Sequence, residues 1–218
     1  MTEQAGDSDV FDAYHRWYYD SEVWEQVSFL GVPCLKSVSD LWNYQEIIAE
    51  LQPSLVVEFG TRFGGATLYF SMVGAAVNPE LRVVSVDIDH REVHAPVRED
   101  ERIELLTGSS VSDTVAEQLA ARRERFPGPL FCILDSDHRK EHVLAELELL
   151  RPLTRPGDYV VVEDGNINGN PVLPGWGEGP AEAIAAYFRS YPGDYRRDRA
   201  REEKFGFTFA PGGFLIRQ

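Results

Sequence analysis

The feature that most constrains this chain is a rhythm: short apolar runs recur, each followed by a stretch with helical spacing. Leu55-Val-Val-Glu-Phe59, Arg82 to Ile88, Ile103 to Leu106, Leu130-Phe-Cys-Ile-Leu134 and Tyr159-Val-Val-Val162 all have strand length, and they are rich in Val, Ile and Leu rather than alternating polar with apolar. Uninterrupted apolar strands are buried on both faces, the state of strands in a parallel sheet whose crossovers are helices. The expectation is an α/β, doubly wound, mostly parallel sheet. Near the C-terminus, Phe205 to Ala210, a Pro211-Gly212-Gly213 turn and Phe214 to Arg217 predict an antiparallel hairpin that closes a seven-stranded sheet. Seven strands ending this way match the methyltransferase variant of the doubly wound fold better than the dinucleotide-binding one.

Helices are predicted from Asp40 to Leu51, with Ser39 or Asp40 as N-cap, and near residues 65–75, 113–125, 140–150 and 180–191. Residues 165–180 read as a long loop rich in Gly, Pro and Asn. Residues 1–9 are polar and predicted to be disordered. Over residues 10–30 a helical extension is expected, carrying Phe11, Tyr14, Trp17, Tyr18, Val23, Trp24 and Val27 as a packing face, a subunit contact or a lid. With no repeats and no linker, 218 residues make one domain, 1–218.

The formal net charge of −15 disfavours nucleic acid and anionic membranes as partners. The one basic cluster, Arg196, Arg197, Arg199 and Arg201, is interrupted by Asp198 and followed by Glu202 and Glu203, so it reads as a self-paired face. No apolar run reaches membrane-spanning length, and the acidic N-terminus does not read as a secretory signal. Two cysteines are too few for a disulfide framework. A cytoplasmic chain acting on a small molecule, and assembling into a homo-oligomer through its aromatic extension, is the expectation.

Glu58-Phe-Gly60-Thr61-Arg62-Phe-Gly64-Gly65 lies between a strand and a helix. Glycine there permits a tight turn and close approach of a ligand. The spacing Gly-x-x-x-Gly-Gly is neither a phosphate-binding loop nor the Gly-x-Gly-x-x-Gly dinucleotide fingerprint, which argues against a nicotinamide oxidoreductase. A glutamate at the strand end favours a ligand with positive charge, as the ammonium and sulfonium of S-adenosylmethionine supply. Glu58, Gly60, Thr61, Arg62 and Gly64 are therefore candidate cofactor-binding residues. Asp87, ending the next strand, is placed to accept from ribose hydroxyls, and Ser109 in Thr107-Gly108-Ser109-Ser110 to border the adenine.

Asp135 ends the fourth strand, and Glu163 with Asp164 ends the fifth. Adjacent parallel strands lie about 5 Å apart, so these carboxylates converge and repel. A divalent cation resolves that conflict, and oxygen ligands suit Mg²⁺, Mn²⁺ or Ca²⁺. Asp135 is also placed to contact the cofactor. His138, three residues further on, is a candidate base for an acceptor hydroxyl. Asn166, Asn168 and Trp176 in the long loop are candidate acceptor-binding residues.

Together, Val57-Glu58-Phe59-Gly60-Thr61, Leu134-Asp135-Ser136-Asp137-His138, Val162-Glu163-Asp164-Gly165-Asn166-Ile167-Asn168-Gly169, Pro174-Gly175-Trp176-Gly177-Glu178-Gly179-Pro180 and Pro211-Gly212-Gly213-Phe214-Leu215 resemble the cephalosporin hydroxylase family from about residue 30 onward. Its members are similar to metal-dependent methyltransferases of secondary metabolites, antibiotics among them, and of sugars. The resemblance implies a class I, Rossmann-like methyltransferase fold and S-adenosylmethionine-dependent O-methylation of a small-molecule hydroxyl. It implies Mg²⁺ (or Mn²⁺) on Asp135, Glu163 and Asp164, and cofactor roles for Glu58, Gly60 and Asp87. Pro53 to Gly60 is also similar to catechol-type O-methyltransferases, which carry a lysine where His138 stands and Asp-Asn where Glu163-Asp164 stands. A non-catalytic S-adenosylmethionine-binding partner of another tailoring enzyme is the alternative. No 2-His-1-carboxylate spacing supports hydroxylation.

Overall fold

The computed structural model describes residues 7–218. Its elements in chain order are α1 (Asp7–Asp20), a 3₁₀ turn (Val23–Gln26), β1 (Ser28–Phe29), β2 (Val32–Pro33), α2 (Val38–Leu51), β3 (Leu55–Phe59), α3 (Gly65–Val77), β4 (Arg82–Asp87), α4 (Ala95–Arg98), β5 (Ile103–Thr107), α5 (Asp113–Arg125), β6 (Leu130–Leu134), α6 (Lys140–Leu150), β7 (Tyr159–Val162), α7 (Pro180–Ser190), β8 (Tyr195–Arg197), α8 (Arg199–Glu203) and β9 (Phe214–Arg217). Helix α1 begins inside the stretch 1–9 for which disorder is expected. The rest of that expectation, residues 1–6, lies outside the described residues.

Seven strands form one sheet in the order β5-β4-β3-β6-β7-β9-β8. β5, β4, β3, β6 and β7 are parallel, and β9 runs antiparallel to both β7 and β8. The chain starts in the middle at β3, winds outward through β4 and β5, then returns to β6 on the other side. That reversal opens a crevice beyond the carboxyl ends of β3, β4 and β6, where ligands bind in such sheets.

Period-two side-chain alternation divides the core between the two faces. Leu55, Val57 and Phe59 of β3 join Val84, Val86, Cys132 and Leu134, under α5, α6 and α7. Val56 faces the other way, with Val83, Phe131 and Ile133, under Tyr44, Ile47 and Ile48 of α2 and Phe70 of α3. Glu58 falls on this second face, where an alternating strand would put an apolar residue, and it is 1 % exposed.

The expected hairpin is the element the structure changes. β9 does pair antiparallel at the edge, but its partner there is Tyr195–Arg197, not residues 205–210. The latter carry no strand because their polar groups are satisfied elsewhere. Asp40 of α2 accepts from the Thr208 hydroxyl (2.6 Å) and the Phe209 N–H (2.8 Å), and Phe209 O accepts from Asn166 N (3.3 Å). Phe207 and Phe209 pack on Tyr18, Tyr19 and His15 of α1, with ring centroids 4.7–5.9 Å apart. Asp40 thus ties α2 to this segment, and the helix starts before it, with Ser37 at the N-cap.

Candidate active site

A cavity of about 510 Å³ opens at the carboxyl ends of the central strands, a size typical of small-molecule sites. Glu58 within β3 and Gly60, Thr61 and Arg62 after it, Asp87 at the end of β4, Ser109 after β5, Asp135 and His138 after β6, and Glu163 and Asp164 after β7 all line it. The doubly wound topology brings these residues to one edge because every parallel strand ends there.

The glycine turn is fixed by two close approaches. Gly60 has φ +96°, and a Cβ on it would stand 1.9 Å from the Asp135 carbonyl oxygen, so only glycine lets the β3 and β6 ends meet. Gly64, at φ +88°, is the N-cap of α3, and a Cβ there would press on Val97. It shapes the turn from behind and is not part of the cavity wall. Asp87 braces the same turn: its Oδ2 accepts from the N–H of Thr61 (2.9 Å) and Arg62 (3.1 Å). Glu58 Oε2 accepts from Thr67 (2.5 Å) and Ser85 (2.6 Å). Burial pushes the Glu58 carboxyl up to about 7, against the pull of Lys36 and those two hydroxyls.

Lys36 is the residue that sequence reading misses. Its ammonium is 2 % exposed and pairs with Asp135 Oδ2 and with Glu163 Oε1, the latter at 2.8 Å. Burial alone would lower its pKa, but Asp135, Glu163 and Glu58 outweigh burial and hold it well above the ordinary value. Tyr44 of α2 donates to the same Glu163 oxygen (3.0 Å). A signal existed: Lys36 is the only Lys or Arg between Arg16 and Arg62. No local pattern, however, tells which carboxylates it meets.

The acid cluster is therefore not an uncompensated set of three. Asp135 and Glu163 share Lys36, and His138 Nε2 lies 3.2 Å from Asp164 Oδ2. Burial raises the Asp164 carboxyl, with His138 opposing. Asp135, His138 and Asp164 offer donor atoms that all lie within 4.8 Å of one another, whereas Glu163 sits outside that group, drawn to Lys36 and Tyr44. The two carboxylates suit a hard divalent ion, and the imidazole stands beside them, held by Asp164. Asp135 and Asp164 each keep one carboxylate oxygen beyond the one already paired, so the donor set fits a cation.

The loop residues divide. Trp176 lines the cavity with Ile167, Leu173 and Phe209, and with Tyr19 and Trp24 from the N-terminal extension. Asn166 and Asn168, expected at the acceptor, do not line it. Asn166 is fully buried, with Nδ2 2.9 Å from His15 Nε2, so it anchors α1. Asn168 donates to Glu182 (2.9 Å) and accepts from Gly177 N (3.2 Å), which fixes the loop onto α7. His142, one turn into α6, also lines the cavity and meets Ser110 and Glu146 rather than solvent alone.

Comparison with known proteins adds to this geometry. The sequence model of the family described as Rhamnosyl O-methyltransferase/CmcI matches residues 21–218. A rhamnosyl O-methyltransferase of Mycobacterium leprae is 52 % identical over 209 residues, 96 % of this chain and 91 % of that protein. One of Mycobacterium bovis is 51 % identical over 208 residues, covering 95 % of this chain and 85 % of the relative. A solved structure of CmcI, described with Mg and SAM, superposes with a TM-score of 0.73 at 20 % identity, covering 89 % of this chain and 77 % of that one, a likeness of fold.

Proposed function

The chain belongs to the rhamnosyl O-methyltransferase/CmcI family, and from that premise we propose that it is an S-adenosylmethionine- and Mg²⁺-dependent methyltransferase acting on a hydroxyl of a sugar, a rhamnosyl-type deoxyhexose above all. The observation that carries this reading is the meeting of Asp135, His138 and Asp164 in one cavity with the glycine turn and Asp87. The relatives' acceptor, a rhamnosyl group, and the Mg and SAM of the CmcI structure come to this chain as part of the proposal.

When bound, the cofactor would supply an electrophilic methyl and the cation would favour ionisation of a hydroxyl held beside it. The chain's residues do the rest. Asp135 and Asp164 would hold the cation, with Glu163 standing behind them against Lys36 and Tyr44. His138, whose Nε2 faces Asp164, keeps Nδ1 for the acceptor proton if Nε2 carries its own; Asp164 then orients the ring. Glu58 and the turn residues Gly60, Thr61 and Arg62 border the methionine end, Asp87 the ribose and Ser109 the base. Tyr19, Trp24, Trp176 and Phe209 give the acceptor an apolar wall against which a deoxy-sugar's methyl and C–H face can rest, and that wall excludes water from the reacting oxygen. Organisation as one domain, residues 1–218, belongs to this reading, since the N-terminal extension contributes Tyr19 and Trp24 to the wall.

No helix among the described residues is long and apolar enough to cross a membrane. The net charge of −15 disfavours nucleic acid as a partner and supports a small-molecule role; a cytoplasmic setting is part of the proposal. The test is incubation of the purified chain with S-adenosylmethionine, Mg²⁺ and a rhamnoside. The expected result is a product heavier by one methylene, with S-adenosylhomocysteine released and turnover lost in EDTA. Cofactor binding without turnover on any rhamnosyl or other sugar acceptor would replace this reading with that of a binding partner.

A further inference from the structure

We infer that Glu146 sets the hydrogen-bond polarity of the base end of the cavity, turning Ser110 and Ser136 into acceptors that select a purine bearing an exocyclic amine over its oxo counterpart. This rests on the nucleoside cofactor proposed above and names what recognises its base.

Glu146 lies on α6, is 0 % exposed and takes no part in the acid cluster. Its Oε1 accepts from the Ser110 hydroxyl (2.5 Å) and the Ser136 hydroxyl (2.5 Å). Ser110, Ser136 and His142 line the cavity together with Gly108, Ser109 and Asp87. Glu146 is thus the buried hub behind three wall residues that come from the loops after β5 and β6 and from α6.

The direction of each bond follows from donor capacity. A carboxylate only accepts, and each serine has one proton to give. Both protons are committed to Glu146. His142 Nε2 lies 2.9 Å from Ser110 Oγ and 3.3 Å from Glu146 Oε1. Neither oxygen can donate to it, so Nε2 carries a proton and donates. What the serine oxygens have left to offer the cavity is lone pairs. An adenine-type amine donates two N–H bonds and matches them. A hypoxanthine-type carbonyl at the same ring position presents lone pairs to lone pairs and is rejected, because buried polar groups without partners are costly. Glu146 is accordingly a positioning residue: it acts through the hydroxyls it orients.

The experiment is calorimetric titration of the metal-free chain with S-adenosylhomocysteine and with S-inosylhomocysteine, which differ at that ring position and in the N1 proton. The wild-type protein should bind the adenosyl compound at least about tenfold more tightly. In Glu146→Gln the side-chain amide donates to one serine, releases that hydroxyl proton toward the cavity, and the ratio should fall toward one. Ser136→Ala, which removes one acceptor without touching α6, should lower the ratio as well, and it stands in if Glu146→Gln does not fold. Equal affinities in the wild type, or a ratio unchanged in a folded variant, overturn the inference while leaving the cofactor reading intact. No binding of S-adenosylhomocysteine at all overturns the cofactor reading and this inference with it.

Discussion

Lys36 decides how the acid cluster can exist before any ion arrives. Asp135 and Glu163 are paired to it at low exposure, and removing one partner of a buried ion pair costs about 3–5 kcal/mol because the other charge is left unpaired. Lys36→Met should therefore lower the unfolding free energy by about that amount in urea titrations done in EDTA, with part of the loss recovered in Mg²⁺. Equal stability of the two proteins in EDTA would refute the role. The same residues predict an order of metal affinity. Mn²⁺ binding, followed by its paramagnetic resonance signal, should be lost in Asp135→Asn and Asp164→Asn but only weakened in Glu163→Gln, since Glu163 stands off behind Lys36 and Tyr44. Complete loss in Glu163→Gln would mean that Glu163 is a direct ligand, as the sequence pattern alone suggests. His138→Gln should keep the nucleoside site while losing turnover.

At the scale of elements, two junctions govern the cavity. The β3–α3 turn works only with glycine: in Gly60→Ala the new methyl meets the Asp135 carbonyl at a backbone angle that side chains avoid. A loss of about 2–3 kcal/mol is expected, together with loss of S-adenosylhomocysteine binding, measurable by thermal unfolding with and without the ligand. The other junction is α1. His15 packs on both Phe207 and Phe209, which also touch each other, and against Asn166. Burial lowers its pKa from the ordinary 6.5 to about 4, with Asp12 opposing. The folded protein thus binds fewer protons than the unfolded chain between those values. The stabilisation is fully present above pH 6.5 and is lost as pH falls toward 4. Amide exchange over residues 10–20 should quicken between pH 6.5 and 5, and His15→Asn should flatten that dependence. Phe209, which His15 packs against, is part of the cavity wall, so acidification reaches the acceptor side as well.

For the whole molecule, the exposed aromatic face bears on association. Phe11, Tyr14 and Trp17 on α1 and Trp42 on α2 are 43–59 % exposed, and aromatic clusters of this kind are typical of subunit contacts. A homo-oligomer is expected in light scattering at micromolar concentration, and Trp17→Asp with Trp42→Asp should shift it to monomer; a wild-type monomer would show that these rings serve the extension alone.

The strands and the order of their ends are legible in the sequence, because burial on both faces imposes apolar composition and the acids then fall at strand ends by local position. Asp87, Asp135, Glu163, Asp164, Gly60 and the Trp176 loop could be found that way. Only the tertiary structure decided that Lys36, 99 residues before Asp135, pairs with Asp135 and Glu163 of the cluster, that Asn166 and Asn168 hold the frame instead of facing the cavity, that Glu146 stands behind Ser110 and Ser136, and that Tyr195–Arg197 takes the edge position beside β9. The physical reason is the same in each case: apolar periodicity is written in neighbouring residues, whereas the partner of a buried polar group is fixed by where the chain returns after a whole domain has been wound.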